Sequence, residues 1–271
     1  MKLPLHDRFI KQAIEHVSKD QRFMGLLAGG SMMYGEMDEY SDLDLIIVYD
    51  DAFQKEIMEQ RIQFAERLGH LLSAFTGEHV GEPRLLICLY GPAALHVDLK
   101  FVHLEELESR VENPLILWER GSEISTILNN TSASFPSPQP QWIEDRFWVW
   151  VHYCAAKLGR GELFEVIDTI TFMRNTVLGP LVLIHNGRSP RGVRKLEKYA
   201  LKEMEELQGT IPIHSFESCY HALKNTIQMY QRLRQGSEIV PRNEAERVSI
   251  EFLDGIYSEN SNGSSFNERK L

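Results

Sequence analysis

Apolar residues first recur at helical spacing: Phe9, Ile10, Ala13, Ile14 and Val17 predict a helix over residues 5–23. "FMGLLAGGS" then reads as a short buried strand running into a turn, and "LDLIIVYD" as a second strand rich in β-branched residues. Helical spacing returns over 52–75, with Phe53, Ile57, Ile62, Ala65, Leu68 and Leu72. "PRLLICLYG" and "ALHVDLKFV" are two further strands, joined by a tight turn over Tyr90–Ala93. The order helix, strand, strand, helix, strand, strand predicts an α/β unit with a small mixed β-sheet over residues 1–128.

Residues 129–141, "NNTSASFPSPQPQ", are polar and proline-rich, the composition of a linker or surface loop. From Trp142 to about Gly236 the spacing is helical almost throughout. "WIEDRFWVWVHYCAAKL", "GELFEVIDTITFMRNTVLGPLVLI", "RGVRKLEKYALKEMEEL" and "SFESCYHALKNTIQMYQRLRQ" predict an all-α helical-bundle domain over 142–257. The polar end, 258–271, is expected to be a flexible tail.

A length of 271 residues accommodates two modest cores, and 43% apolar residues suits a globular chain. Three scattered cysteines with no CxxC read as free thiols in a reducing compartment. No uninterrupted apolar run reaches membrane-spanning length, and the N-terminus lacks the features of a leader, so a cytoplasmic protein without a membrane partner is expected. A formal charge of −10 argues against a nucleic-acid partner and suits a small cationic substrate.

The chemistry concentrates in "SDLDL". A strand period of two turns Asp42 and Asp44 to one side, while Leu43 and Leu45 face the core. Two such carboxylates repel unless a cation sits between them, and Mg²⁺ takes one or two carboxylates together with substrate phosphates. A third acid, Asp98, stands in "LHVDLKF"; if its strand lies beside the first, the three converge. Such a triad could hold the metal of a nucleoside triphosphate, two ions during turnover, with Asp98 helping to deprotonate an attacking hydroxyl. Gly29 and Gly30 let backbone N–H groups approach phosphate oxygens, and Ser31 adds a hydroxyl at a strand-to-helix turn, where a helix N-terminus favours anions. The loop is neither a Walker loop nor a dinucleotide loop, since GxxxxGK[ST] and GxGxxG are both absent.

Plainer explanations stand beside these. The acid pair could be a solvated strand edge, Ser31 could cap a helix, and Lys157 and Arg160 lie at a helix end where cations are favoured anyway. Trp142, Phe147, Trp148, Trp150 and Tyr153 are chiefly packing residues, with Trp148 and Tyr153 candidates for an acceptor cleft. His96 shares a strand face with Asp98 and could bind a metal, support Asp98 or merely be hydrogen-bonded. Glu78 and Glu82 are candidate ligands for a cationic acceptor, or simply solvated; Glu162 is a charge complement at the start of a helix, or a catalytic base or substrate ligand.

Gly-Gly-Ser, then Tyr34-Gly35, then "SDLDL" at 41–45 and "VDL" at 97–99 resemble the nucleotidyltransferase superfamily. In that likeness Ser31 and Gly30 contact phosphate, and Asp42, Asp44 and Asp98 are the metal-binding and catalytic acids. The helical half, with Tyr153, Lys157, Arg160, Glu162 and Leu163 in order, resembles the bacterial aminoglycoside 6-adenylyltransferases that modify streptomycin. The resemblance implies transfer of a nucleoside monophosphate, AMP from ATP, to a hydroxyl of a small-molecule acceptor such as an aminoglycoside, with release of pyrophosphate. No basic residue lies between Ser31 and Asp42, so phosphate charge is expected to be met by Lys157 or Arg160. The same chemistry on a lincosamide, another metabolite, a protein side chain or an RNA end is an alternative, as is a catalytically silent nucleotide-binding or interaction protein.

Overall fold

A proline in the first turn and a buried stripe at every third or fourth residue build helix α1 (Pro4–Lys19) in a computed structural model that describes residues 3–261. The stripe is His6, Phe9, Ala13 and Val17. It packs against a six-stranded sheet of β1 (Phe23–Ala28), β2 (Leu43–Tyr49), β3 (Leu71–Gly77), β4 (Glu82–Tyr90), β5 (Leu95–His103) and β6 (Leu115–Glu119). The strand order is β3-β4-β5-β2-β1-β6. β2 and β5 run parallel and the other neighbours antiparallel, so the sheet is mixed, as expected.

Period-two alternation decides which side chains reach which face. Leu43, Leu45, Ile47 and Tyr49 of β2, with Val97, Leu99 and Phe101 of β5, form one core with the α1 stripe. Ile57 of α2 (Gln54–Glu59) and Phe64 and Ala65 of α3 (Arg61–Arg67) complete it. Each large side chain buried there contributes about 1.5–3 kcal/mol. On the opposite face Val48, Val102 and Leu27 pack with Leu107 and with Ile124 of α4 (Glu123–Asn130). Asp44 and Asp98 share that second face with Val48 and Val102 but lie earlier on their strands, outside this small cluster.

The structure corrects several expectations. The helix expected over 52–75 is a 3₁₀ turn, Asp51–Phe53, followed by α2 and α3, and residues 71–77 are the edge strand β3. There Leu72 and Phe75 are exposed and the backbone pairs with β4, so sheet pairing overrides a coincidental helical spacing. β6 and α4 lie in a stretch for which no element was expected. The segment given as a 129–141 loop is shorter, because α4 reaches Asn130 and the next helix starts at Pro140.

The chain divides into two compact units, Met1–Phe135 and Pro136–Leu271. The second is all-helical: α5 (Pro140–Gly159), α6 (Leu163–Met173), α7 (Gly179–His185), α8 (Leu196–Tyr199), α9 (Met204–Gly209), α10 (Phe216–Leu233) and α11 (Asn243–Ser261). A π-helical turn, Arg174–Leu178, joins α6 to α7. The single helix suggested by "RGVRKLEKYALKEMEEL" is broken into α8 and α9. α11 carries helix through Ser261, into the expected tail, and residues 262–271 of that tail lie outside the described residues.

The aromatics of α5 correct one expectation: Trp148, a candidate for an acceptor cleft, is buried, whereas Tyr153 is exposed. Phe147 and Trp148 are buried, and Phe147 stacks on Tyr230 at 3.9 Å between ring centroids. The fully buried Glu144 carboxylate accepts from Tyr230 (2.7 Å), Trp148 (3.1 Å), Arg234 (2.8 Å) and the Arg242 amide (2.8 Å), which ties α5 to α10 and to the approach to α11. By length and composition alone the continuous helical stretch Leu163–His185 is apolar enough to cross a membrane. Its Val166, Ile170, Met173, Val177, Leu178 and Val182 fill the core of this unit, the behaviour of an internal helix.

Candidate active site

Parallel pairing of β2 with β5 sets Asp44 directly opposite Asp98. Neighbouring strands stand about 4.8 Å apart, so two carboxylates emerge side by side from the same face. Both residues are half-buried. The His96 ring nitrogen Nε2 lies 2.9 Å from Asp98 Oδ1, and its N–H donates to that oxygen. His96 therefore supports Asp98, one of the readings its strand position allowed.

Gly30 closes over this pair. It sits at φ +57°, in the left-handed region, and a Cβ built on it would lie 1.8 Å from Asp44 Oδ2. No other residue type fits there without displacing the carboxylate. The preceding Gly29 amide donates to the Asp44 carbonyl at 2.7 Å, extending the β1–β2 ladder by one step. The glycine pair thus presses loop backbone against the acid that two sheet strands bring forward.

Ser31 follows in a five-residue 3₁₀ turn, Gly30–Tyr34, rather than at the start of an α-helix as expected. Its carbonyl accepts from the Glu36 amide at 3.1 Å, which curls the loop back on itself. Tyr34 at the end of the turn donates its hydroxyl to Glu112 at 2.7 Å. Asp42 is exposed, one residue before β2 begins. Among the described residues no group of three His, Cys, Asp or Glu side chains is placed to hold a metal ion. The expected triad is thus not pre-assembled as a cage: the structure brings together Asp44, Asp98 and Gly30, with Asp42 on the adjoining loop.

One pleat beyond Asp98 on the same face, Lys100 places its ammonium 2.8 Å from Glu82. Arg84 pairs with Glu82 at 2.6 Å and also with Glu106. The Arg84 hydrogen bond, helped by Lys100 and opposed by burial, holds the Glu82 carboxyl down at about 2. Glu82 is therefore an ion-pair member, not a waiting ligand for a cation. Sequence reasoning did not find this ladder: Glu82 and Arg84 share the face of β4 that carries the buried Leu86, while Lys100 stands opposite Leu85, so no single strand face displays the set.

In the second unit Lys157 stands near the end of α5 with its ammonium 2.6 Å from Glu162, and it also pairs with Glu165. It lies over the Tyr153 ring at 5.3 Å, and Tyr153 donates to Glu165 at 3.0 Å. The hydrogen bonds it donates to Glu162 and then Glu165 raise its pKa well above the ordinary lysine value. Arg160 is exposed and 3.7 Å from Glu162. The expectation that Lys157 supplies uncommitted charge for phosphate meets a different arrangement, an ammonium already facing two carboxylates. Glu165 was not singled out in the sequence; the charge alternation of "KLGRGELFE" is the signal that points to it.

No protein-family model matches this chain, and no curated protein matches it in sequence. Among solved structures it is similar to an aminoglycoside 6-adenyltransferase from Bacillus subtilis, at 17% identity and a TM-score of 0.42, over 93% of this chain and 98% of that one. It is also similar to a nucleotidyltransferase-like protein from Exiguobacterium sibiricum, at 13% identity and a TM-score of 0.40, over 84% of this chain and 75% of that one.

Proposed function

We propose that this chain is a nucleotidyltransferase that moves a nucleoside monophosphate, AMP from ATP, onto a hydroxyl of a small acceptor and releases pyrophosphate. The observation that carries the reading is the placement of Asp44 beside Asp98 with Gly30 packed on the Asp44 carboxylate. Two like charges set side by side on a sheet favour unfolding unless a cation joins them.

The donors are of the kind Mg²⁺ takes, carboxylate oxygens to be completed by phosphate and water. Asp44 and Asp98 would hold it, with Asp42 contributing from the loop, and one or two such ions would neutralise the triphosphate and the leaving pyrophosphate. The backbone at Gly30 and the Ser31 hydroxyl face phosphate oxygens in this reading, while the Gly29 amide, bound to the Asp44 carbonyl, holds the loop in place. His96, by donating to Oδ1 of Asp98, fixes the rotamer of that carboxylate and leaves Oδ2 to take the proton from the acceptor hydroxyl. A cationic acceptor such as an aminoglycoside suits the net charge of −10. That charge argues against nucleic acid, and a small-molecule acceptor in the cytoplasm remains the reading the composition supports.

The test is pyrophosphate release from Mg²⁺ and each nucleoside triphosphate over a panel of aminoglycosides, lincosamides and other hydroxyl compounds. Release with ATP and an aminoglycoside, abolished in Asp44→Asn at unchanged Tm, is expected. Full activity in Asp44→Asn refutes the role of the acid pair. Nucleotide binding by titration calorimetry without release for any acceptor supports a silent binding protein instead.

A further inference from the structure

Helix α1 buries His6, Phe9, Ala13 and Val17, and three of these four are apolar. His6 is the exception and is only 4% exposed. Its Nδ1 is, among the described residues, the one buried side-chain polar atom without a hydrogen-bond partner. Its Nε2 lies 2.8 Å from the Ser41 carbonyl oxygen, thirty-five residues away in sequence. A carbonyl only accepts, so Nε2 carries the proton and donates, and Nδ1 keeps a lone pair with nothing to receive. An apolar residue at this position would continue the stripe and leave no orphan. What the histidine adds is one bond to the peptide group that joins Ser41 to Asp42.

The segment it holds is a small turn. The Asp38 amide donates to Ser41 Oγ at 2.9 Å, the Tyr40 amide to Asp38 Oδ1 at 3.0 Å, and the Ser41 amide to the Asp38 carbonyl at 3.2 Å. These bonds are local and exposed, so they shape the turn without fixing it to the rest of the unit. β2 begins only at Leu43. Between the turn and the strand, Asp42 has no ladder to hold it, and His6 supplies the long-range anchor directly before it.

We propose that His6 is a positioning residue for Asp42: its Nε2–H···O bond to Ser41 fixes the backbone from which the Asp42 carboxylate reaches the acid pair. The assignment of Asp42 to that chemistry rests on the transferase reading above; the tether itself does not. His6 touches no reacting group, and its influence passes through one peptide.

The test compares His6→Leu with His6→Gln, whose side-chain amide places a donor where Nε2 stands; His6→Met replaces the leucine variant if that variant does not fold. Amide hydrogen exchange over residues 38–42 is measured with Tm and with pyrophosphate release. His6→Leu should keep or raise Tm, because the orphan nitrogen is gone, yet exchange at Tyr40 and Ser41 should speed by about tenfold or more. Its kcat should fall by about tenfold with little change in the KM for the acceptor, and His6→Gln should recover most of both losses. Unchanged exchange in the apolar variants overturns the tether. Faster exchange with wild-type kcat overturns the positioning of Asp42. A wild-type protein that releases no pyrophosphate with any acceptor refutes the transferase reading and with it the role given to Asp42, while the exchange measurement still decides the tether.

Discussion

Gly30→Ala and Gly35→Ala form a matched pair that isolates one contact. Both glycines are in the left-handed region, Gly30 at φ +57° and Gly35 at φ +64°. Alanine pays about 1–2 kcal/mol for that conformation. A chain of this size loses roughly 2–4 °C in Tm per kcal/mol, so each variant should melt roughly 2–8 °C lower. The two sites differ in what the new methyl meets. At Gly35 nothing lies within 4 Å, whereas at Gly30 the methyl would stand 1.8 Å from Asp44 Oδ2 and 2.9 Å from Asp44 Cγ. No rotamer adjustment of an alanine relieves this, so either the loop lifts or the carboxylate turns away. A displacement of about 1 Å at reacting groups costs on the order of 10²-fold in rate. Gly35→Ala should therefore keep near-wild-type turnover at its lower Tm, while Gly30→Ala loses about two orders of magnitude. Thermal scans and pyrophosphate release on both proteins measure this. Comparable turnover in the two variants would refute the contact between loop and acid as the organising feature of the site.

Asp98→Asn removes one of two facing charges, a repulsion worth about 1 kcal/mol in a water-like dielectric; Tm without divalent ions should hold or rise while turnover falls about 10²–10⁴-fold, and a clear loss of Tm would count against the repulsion. The Glu82 carboxyl, held at about 2 against an ordinary 4.5, stabilises the fold fully above about pH 4.5 and loses that contribution as the pH falls toward 2. Urea unfolding at about pH 5 and pH 3 should show that acid-side loss in the wild type and a smaller one in Arg84→Met. Glu144→Ala leaves the half-buried Arg234 without its fully buried partner and should cost roughly 3–5 kcal/mol by urea unfolding.

The sequence displayed the fold class and the candidate acids, but not which strands are neighbours. "SDLDL" and "VDL" were legible because a carboxylate inside an apolar alternation contradicts its surroundings. Their pairing was conditional on two strands being neighbours, and only the parallel β2–β5 register supplies that. β3 was hidden because Leu68, Leu71, Leu72 and Phe75 satisfy a helical period by coincidence and the strand lies half-exposed at the sheet edge. α8 and α9 read as one helix because charged helix formers run on through 200–203, where the backbone leaves the helix at Ala200, at φ −120° and ψ 43°. His6 was invisible for a different reason: its meaning is one bond to a residue thirty-five positions away, and no periodicity records that.

Two closed sets of ion pairs and the Asp44–Asp98 pair differ in the sign of their neighbours. Around Lys157 every charge has an opposite partner, and Tyr153 completes the set. The Glu82–Arg84–Lys100–Glu106 ladder is closed in the same way. At Asp44 and Asp98 the neighbours across the strand pair carry the same sign, and the loop above them is constrained to glycine by the carboxylate itself. Both features cost folding free energy, and the small cluster of Val48 and Val102 shows that the same face can be filled with apolar side chains instead. On the reading proposed above, a cation and a phosphate chain would sit where this strand register and this loop conformation meet.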